Sequence, residues 1–568
     1  ASDPAAAAKL LIDHYAEIPQ PEGDVVLGDS YRAANDTAHA ADAYQRVYTQ
    51  YLKGDFAARA SAALAAMGQP MGTPSQLLHR ADRQLETKDY AGARRAYEAL
   101  VPSLSGLERD QARVRMGAAD CLRGQYAVAW PYLENLQVNS PEADAERLSY
   151  IVECARNKKD DDAMKAAEQK LSQTYARSPW RLKALASAAN RFLLINQPAE
   201  YVPLNRALYT DFPTAPQAAL AHWKVAFQAH LTDASDAAAL LREHLRNYPG
   251  HSSVGSALYF LGRRLEASGD RSSARACYQK LSSSLENTFY GMLARDRLRA
   301  PEVAAAGFPA ASTETAQFLA SLKIGGGAPI PSEANAATAS RIERSRILRS
   351  AGLDDLADSE LRYGARSDGQ PALISMELAA SQAAPHLGMR AMKSLNSDYL
   401  NLPVPAAPRQ FWELLFPLPY KVDLTRAAES RNLDPFLVAG LIRQESEFDP
   451  RALSPAKAYG LMQVRPATGR MFAARAGVPR FTAATLYQPA ANLKIGSAIF
   501  RSMLDHQNGS VEETLAAYNA GPGRVTQWRT WGNFREPAEF IESIPFTETH
   551  DYVQGVLRNA EMYRRLYR

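Results

Sequence analysis

The feature that most constrains this chain is a proline-punctuated helical period in its first 300 residues. Pro141, Pro179, Pro213 and Pro249 stand 38, 34 and 36 residues apart, and the segments between them lack the alternation of a strand. That spacing belongs to stacked helical hairpins, in which neither helix buries its apolar face without the next pair.

Between the prolines lie short signatures of small and aromatic residues. Asp89-Tyr90-Ala91-Gly92-Ala93 leads to Tyr97, Gly124-Gln125-Tyr126 leads to Ala129, and Ser268-Gly269-Asp270 is followed by Ala274, Ala276 and Tyr278. These resemble tetratricopeptide-type repeats. The small residues let two helices approach while Tyr or Leu fills the groove, so both are expected to serve packing. A superhelical scaffold follows for this part of the chain.

At 568 residues the chain exceeds a single hydrophobic core, and about three domains are expected. Apolar residues make up 46% and charged residues 22%, as in ordinary folded proteins. The 65 basic and 61 acidic residues are dispersed, without the basic blocks of a nucleic-acid binder, so nucleic acid is not an expected partner. No run of 18 apolar residues is present to span a membrane. Cys121, Cys154 and Cys277 lie far apart without a CxxC, which predicts small buried thiols and one disulfide at most. The chain opens Ala-Ser-Asp-Pro without Met or a signal peptide, as a processed mature form or a trimmed chain would.

Composition changes at residues 301 to 340, where Ala305-Ala306-Gly307-Phe308-Pro309 and Gly325-Gly326-Gly327 read as a linker. A helical pattern resumes from about Ala339 to Lys393, with Gly352 and Gly364 as expected helix stops. A Pro-rich boundary at Leu402 to Pro408 precedes a compact C-terminal domain, and a segment beginning near Leu402 is expected to fold alone.

In that domain Asp434-Pro435 supplies an N-cap and a first-turn proline, and Phe436 to Glu445 continues as a helix. Glu445 falls three and four residues beyond Ile442 and Leu441, on the apolar stripe. A carboxyl group placed there is partly desolvated, which raises its pKa and suits it to act as a general acid. Asp449, Glu447 and Glu548 remain alternative or second carboxylates, because spacing does not choose among them.

Around Glu445 the chain reads Gln444-Glu445-Ser446-Glu447-Phe448-Asp449-Pro450, then Ser454-Pro455, Tyr459-Gly460-Leu461-Met462-Gln463-Val464, Ala516-Ala517-Tyr518-Asn519-Ala520-Gly521 and Glu542-Ser543-Ile544-Pro545-Phe546-Thr547-Glu548-Thr549. Over about residues 416 to 568 this order of motifs resembles the soluble lytic murein transglycosylase family. The resemblance implies an all-α fold. Residues 1–335 would form a ring-shaped α-superhelix of tetratricopeptide-like hairpins, 336–405 a helical linker domain, and 406–568 a catalytic domain similar to goose-type lysozyme.

The same resemblance implies that Glu445 is the sole catalytic acid and base, with Ser454, Met462, Gln463, Tyr518, Asn519, Glu548 and Tyr552 lining the saccharide cleft. Glu542 would be a supporting partner. Two positions depart from the family's pattern: Arg465 stands where relatives often have Met, and His550 where they often have Arg. The first is expected to alter a subsite and the second to remove a fixed positive charge.

The implied reaction cuts the MurNAc-GlcNAc bond of peptidoglycan and leaves 1,6-anhydro-MurNAc ends, with no metal or cofactor. A hydrolytic muramidase of the same fold and a non-catalytic glycan-binding scaffold are the competing readings. Peptidoglycan strands are the expected partner, cell-wall enzymes are candidates for recruitment by the superhelix, and a monomer is expected. The implied location is the periplasm, with attachment to the outer membrane through a lipidated N-terminus upstream of Ala1 left open.

Overall fold

The structure, a computed structural model, describes residues 3–305 and 310–568. The chain divides into two compact units, Ala1–Ala218 and Ala219–Arg568. Among the described residues the architecture is helix upon helix, and β pairing is confined to the isolated bridges Leu453–Tyr459 and Tyr459–Val464.

In the first unit the prolines mark hairpin boundaries. Helices α1 (Pro141–Lys158) and α3 (Pro179–Leu194) each begin on the periodic proline, and α2 (Asp161–Thr174) and α4 (Pro198–Asp211) complete the hairpins. A proline in the first turn forfeits only an N–H that has no intrahelical acceptor. Pro213 instead follows the end of α4, where the helix has already stopped. Within hairpins the turn is set by aspartate caps. Asp36, Asp89 and Asp160 each accept a hydrogen bond from the backbone N–H three residues on, worth about 1 kcal/mol per cap.

Packing across each hairpin follows from residue size. A Cβ at Gly28 would lie 2.7 Å from the Tyr44 ring, and one at Gly117 would lie 2.7 Å from Leu133. In the second unit Gly262 meets Tyr278 at 2.6 Å in the same way, so the glycine is what admits the bulky partner. The tyrosines are core residues: Tyr97 is buried, and its hydroxyl donates to Asp82 at 2.7 Å. A continuous core runs from Leu148 and Val152 on α1 through Met164 and Leu171 on α2 to Phe192 on α3.

The second unit opens with further hairpins that include α5 (Ala218–Leu231), α6 (Val254–Ala267) and α7 (Phe289–Arg299). Four helices follow, Ala336–Ser350, Asp354–Ser367, Pro371–Ala380 and α8 (Pro385–Leu395), around Leu361, Ile374 and Leu378. The remainder carries α9 (Pro435–Glu445), α10 (Pro489–His506), α11 (Val511–Ala520), α12 (Pro537–Ser543) and α13 (Thr547–Tyr567). No described helix is long and apolar enough to cross a membrane.

Two expectations are corrected and a third is narrowed. Gly352 sits at a helix stop with φ +75°, but Gly364 lies inside Asp354–Ser367, where its missing side chain lets Arg341 pass against the helix. The stretch read as linker contains the helix Thr313–Ser321, whose Phe318 and Leu319 are buried; its residues 306–309 lie outside the described residues. Cys121 and Cys154 are bonded to each other across the buried faces of two helices, leaving Cys277 as the buried thiol.

Candidate active site

The site begins with one helix crossing. Asp434 caps α9 by accepting from the Phe436 N–H at 2.9 Å, and Leu437, Val438, Leu441 and Ile442 bury the helix on all sides. Gly440 lets it touch α13 backbone to backbone, since a Cβ there would lie 2.7 Å from the Val556 carbonyl. Arg443, also buried, fixes the roll of α9 by donating to the Leu415 carbonyl and the Tyr399 hydroxyl while its guanidinium lies over the Phe416 ring. Glu445 is the last residue of this helix and half-buried.

Its surroundings decide its protonation. Burial pushes the Glu445 carboxyl up to about 7, the Tyr552 hydrogen bond opposes the shift, and the charge of Glu548 adds to it. Tyr552 donates to one oxygen, Oε1, at 2.6 Å, and among the described residues Glu445 has no cationic partner. The other two candidate carboxylates on this bend are engaged. Glu447 is held at 2.7 Å by Arg390 and 2.5 Å by Lys393 on α8, which keeps it below the usual carboxylate range against the opposing effect of burial. Asp449 accepts the Arg451 N–H at 2.8 Å and faces Arg390 and His386.

After α9 the backbone turns sharply through Glu447 and Phe448, with φ of +54° and +66°. Ser446 ties this bend to the Leu461 carbonyl at 2.8 Å. The chain then forms a tight loop in which the Ser454 hydroxyl oxygen accepts from Ala458 N–H at 3.0 Å. The Gln463 amide donates to the carbonyls of Gly460 and Ala452 at 2.9 and 3.2 Å, so its own carbonyl oxygen remains for a ligand. Met462 is fully buried over Gly496. What it contributes at the cleft is its backbone carbonyl, which accepts from Tyr518 at 2.7 Å. Arg465 is exposed at the start of the following helix.

The remaining predicted residues meet at the start of α13. Asn519 accepts from Thr549 at 2.6 Å and donates to Glu548 at 3.4 Å. Burial raises the phenols of Tyr518 and Tyr552, and the Glu445 charge adds to both shifts. Ser454 and Gln463 are bonded within their own loop. Among the described residues no cluster of three His, Cys, Asp or Glu side chains is arranged to hold a metal ion.

The loss of charge expected at His550 is not found. Burial would neutralise the imidazole, but the Glu542 carboxylate at 3.1 Å and Asp551 at 2.9 Å overcome it and hold the pKa at about 9. Glu542 is itself buried and accepts from Trp223, Tyr290 and Gln554 at 3.1, 2.6 and 3.0 Å; the charge and hydrogen bond of His550, then the Lys224 charge and the Tyr290 hydroxyl, keep it near 2 despite burial. It belongs to a row the sequence reading missed. Glu536 binds Tyr259 and Arg263, and Glu539 binds His230 and Arg535. The acidic spacing of Glu536 at the N-cap of α12 and Glu539 and Glu542 within it was the available signal.

Residues 424–541 match the family described as Transglycosylase SLT domain. The soluble lytic murein transglycosylase of Salmonella typhimurium is 33% identical over 196 residues, which are 33% of this chain and 30% of that protein. The protein of the same description from Escherichia coli K12 is 32% identical over the same shares. The matches therefore span less than a third of these relatives' length. In structure the chain is similar to an inactive mutant of the lytic transglycosylase Slt from Pseudomonas aeruginosa, with TM-score 0.68, 20% identity, and 99% and 86% of the two chains covered. The 70 kDa soluble lytic transglycosylase of Escherichia coli gives TM-score 0.66 at 17% identity with the same coverage. At these identities the structural likeness speaks to fold alone, over 99% of this chain.

Proposed function

Because residues 424–541 match the Transglycosylase SLT domain, we propose that this chain cleaves the β-1,4 bond between MurNAc and GlcNAc in peptidoglycan and leaves 1,6-anhydro-MurNAc ends. The observation that carries the proposal is Glu445, a half-buried carboxyl group pushed up to about 7, held through one oxygen and with no cationic partner among the described residues, beside carboxylates that cations already occupy.

The protonated Glu445 donates its proton to the glycosidic oxygen as the C1–O bond breaks, and the GlcNAc leaves as the 4-hydroxyl. The N-acetyl carbonyl oxygen of the muramic residue closes on C1 and carries the positive charge as an oxazolinium ring. Glu445, now a carboxylate, takes the proton of the C6 hydroxyl; O6 attacks C1, the ring opens, and Glu445 is protonated again. An intramolecular hydroxyl outcompetes water when the cleft fixes its approach. Tyr552 steadies the carboxylate form at Oε1 and leaves Oε2 to the substrate. Ser454, Gln463, Tyr518, Asn519 and Glu548 are assigned to substrate binding, and Met462 to the floor of the cleft.

We keep residues 1–335 as the superhelical scaffold, 336–405 as the linker domain and 406–568 as the catalytic domain. Peptidoglycan strands are the proposed partner and the periplasm the proposed location; the Cys121–Cys154 disulfide suits an oxidising compartment. The test is Glu445→Gln, which preserves size and removes the proton. Cleavage of purified peptidoglycan should fall by about 10²–10⁴ or more. Activity within a few-fold of the unaltered chain, at equal melting temperature, would pass the role to another carboxylate.

A further inference from the structure

The α9–α13 pair presents Glu445 and Tyr552 on one flank, and on another it borders a cavity of about 730 Å³ that shares no residue with the cleft. Turns of the preceding helices and the segments 323–325 and 397–401 form its far walls, while Gln444 on α9 and Asp551, Gln554 and Arg558 on α13 form the near one. The volume lies within the range of small-ligand sites, roughly 300–1,000 Å³.

Its charges are incompletely matched. Arg558 has no ion pair among the described residues; its Nε is buried without a hydrogen-bond partner, and its Nη2 makes a long 3.5 Å contact to the Asn559 side-chain oxygen. A guanidinium stays charged even when burial disfavours it, so an unsatisfied N–H there is a cost that an anion would remove. Lys323 supplies a second cation without an ion pair among the described residues, at the exposed edge. Two exposed carboxylates, Asp398 and Asp551, complete the lining. A neutral sugar would leave these charges unused, and an apolar ligand would bury them.

We propose that this cavity binds a short peptide, its free carboxylate on Arg558 and Lys323 and its free amine toward Asp398 and Asp551. This deepens the function proposed above and rests on it for the identity of the peptide, since peptidoglycan carries stems of this chemistry. An occupant would abut Gln444, the neighbour of Glu445, and Asp551, which is bonded to His550.

The test uses the full chain carrying Glu445→Gln, so that no turnover intervenes, and calorimetric titration with the tripeptide L-Ala-γ-D-Glu-meso-diaminopimelate. The tripeptide should bind, and blocking its carboxylates as amides or adding Arg558→Gln should each weaken it about tenfold or more. Asp398→Asn lies at the exposed edge and keeps the test open should Arg558→Gln fail to fold; it should weaken the tripeptide and leave unaffected a tripeptide acetylated on both the L-Ala and the diaminopimelate amines. A disaccharide-tripeptide separates the two sources of the peptide. Tighter binding than the tripeptide indicates a stem attached to the strand, equal or weaker binding indicates a free peptide, and either upholds the site. Binding that ignores all these changes overturns it. If the tripeptide binds as expected while the unaltered chain fails to cut peptidoglycan, the cavity stands and the cleft reading falls.

Discussion

Tyr552 grips one oxygen of Glu445, and this divides the work of the carboxyl group between a held atom and a reacting one. Because that hydrogen bond favours the carboxylate, its removal should raise the pKa above about 7. The acid step needs the proton, so kcat/KM should fall as pH rises through about 7 in the unaltered chain. In Tyr552→Phe the alkaline limb should shift to higher pH while the plateau drops by about tenfold or more, from loss of orientation. A pH–rate profile checks both, and an unmoved limb would show that Tyr552 does not set the acid. The partial burial of Glu445 was legible in the sequence because an apolar stripe of period 3.6 is a local signal, whereas its choice over the neighbouring carboxylates rested on the ordered motifs of the family resemblance. The fate of Glu447 was not: its partners Arg390 and Lys393 lie on α8, and no local period announces a salt bridge made across a fold. The burial of Met462 was hidden likewise, because it depends on Gly496 of α10.

Helix α12 is seven residues long, yet three of its flanking and internal glutamates engage groups contributed by residues 223–290. Such a short helix is held by these contacts rather than by its propensity. The Glu542–His550 pair then orients the first turns of α13, from which Tyr552 reaches Glu445. Glu542 is depressed to about 2, so its contribution is present above about 4.5 and is lost as pH falls toward 2. His550 is raised to about 9, so its contribution is complete below about 6.5 and is lost as pH rises through 9. Glu542→Gln, which leaves the buried His550 and the nearby Lys224 with only the exposed Asp551 as a counter-charge, should therefore destabilise the chain most near pH 5–6.5, by about 3–5 kcal/mol. Melting curves measure this; a loss that does not shrink toward pH 9.5 would contradict the assignment. The hairpins themselves were readable from proline spacing and Asp caps. Gly364 misled because glycine signals a helix stop and a close approach equally well, and only Arg341 packing beside it distinguishes them.

At the level of the molecule, the boundary at Leu402 to Pro408 looks like a place to divide the chain, and its composition reads that way. Its bonds read otherwise. The Leu402 carbonyl accepts from Asn287 at 2.5 Å, the Val404 N–H donates to Glu286 at 3.1 Å, and the glutamates around α12 rely on residues 223–290. A chain begun at Leu402 should melt about 10 °C or more below one begun at Ala219, because it exposes buried carboxylates deprived of their partners. Equal, cooperative melting of the two would restore the Pro-rich boundary as a true domain limit. The central claim concerns what happens at C1 of the muramic residue, and the product reports it directly. Mass spectrometry of strands released from purified peptidoglycan should find every new muramic end one water lighter than a reducing end, as 1,6-anhydro-MurNAc. Release of reducing ends alone would contradict the account and leave a hydrolase in its place.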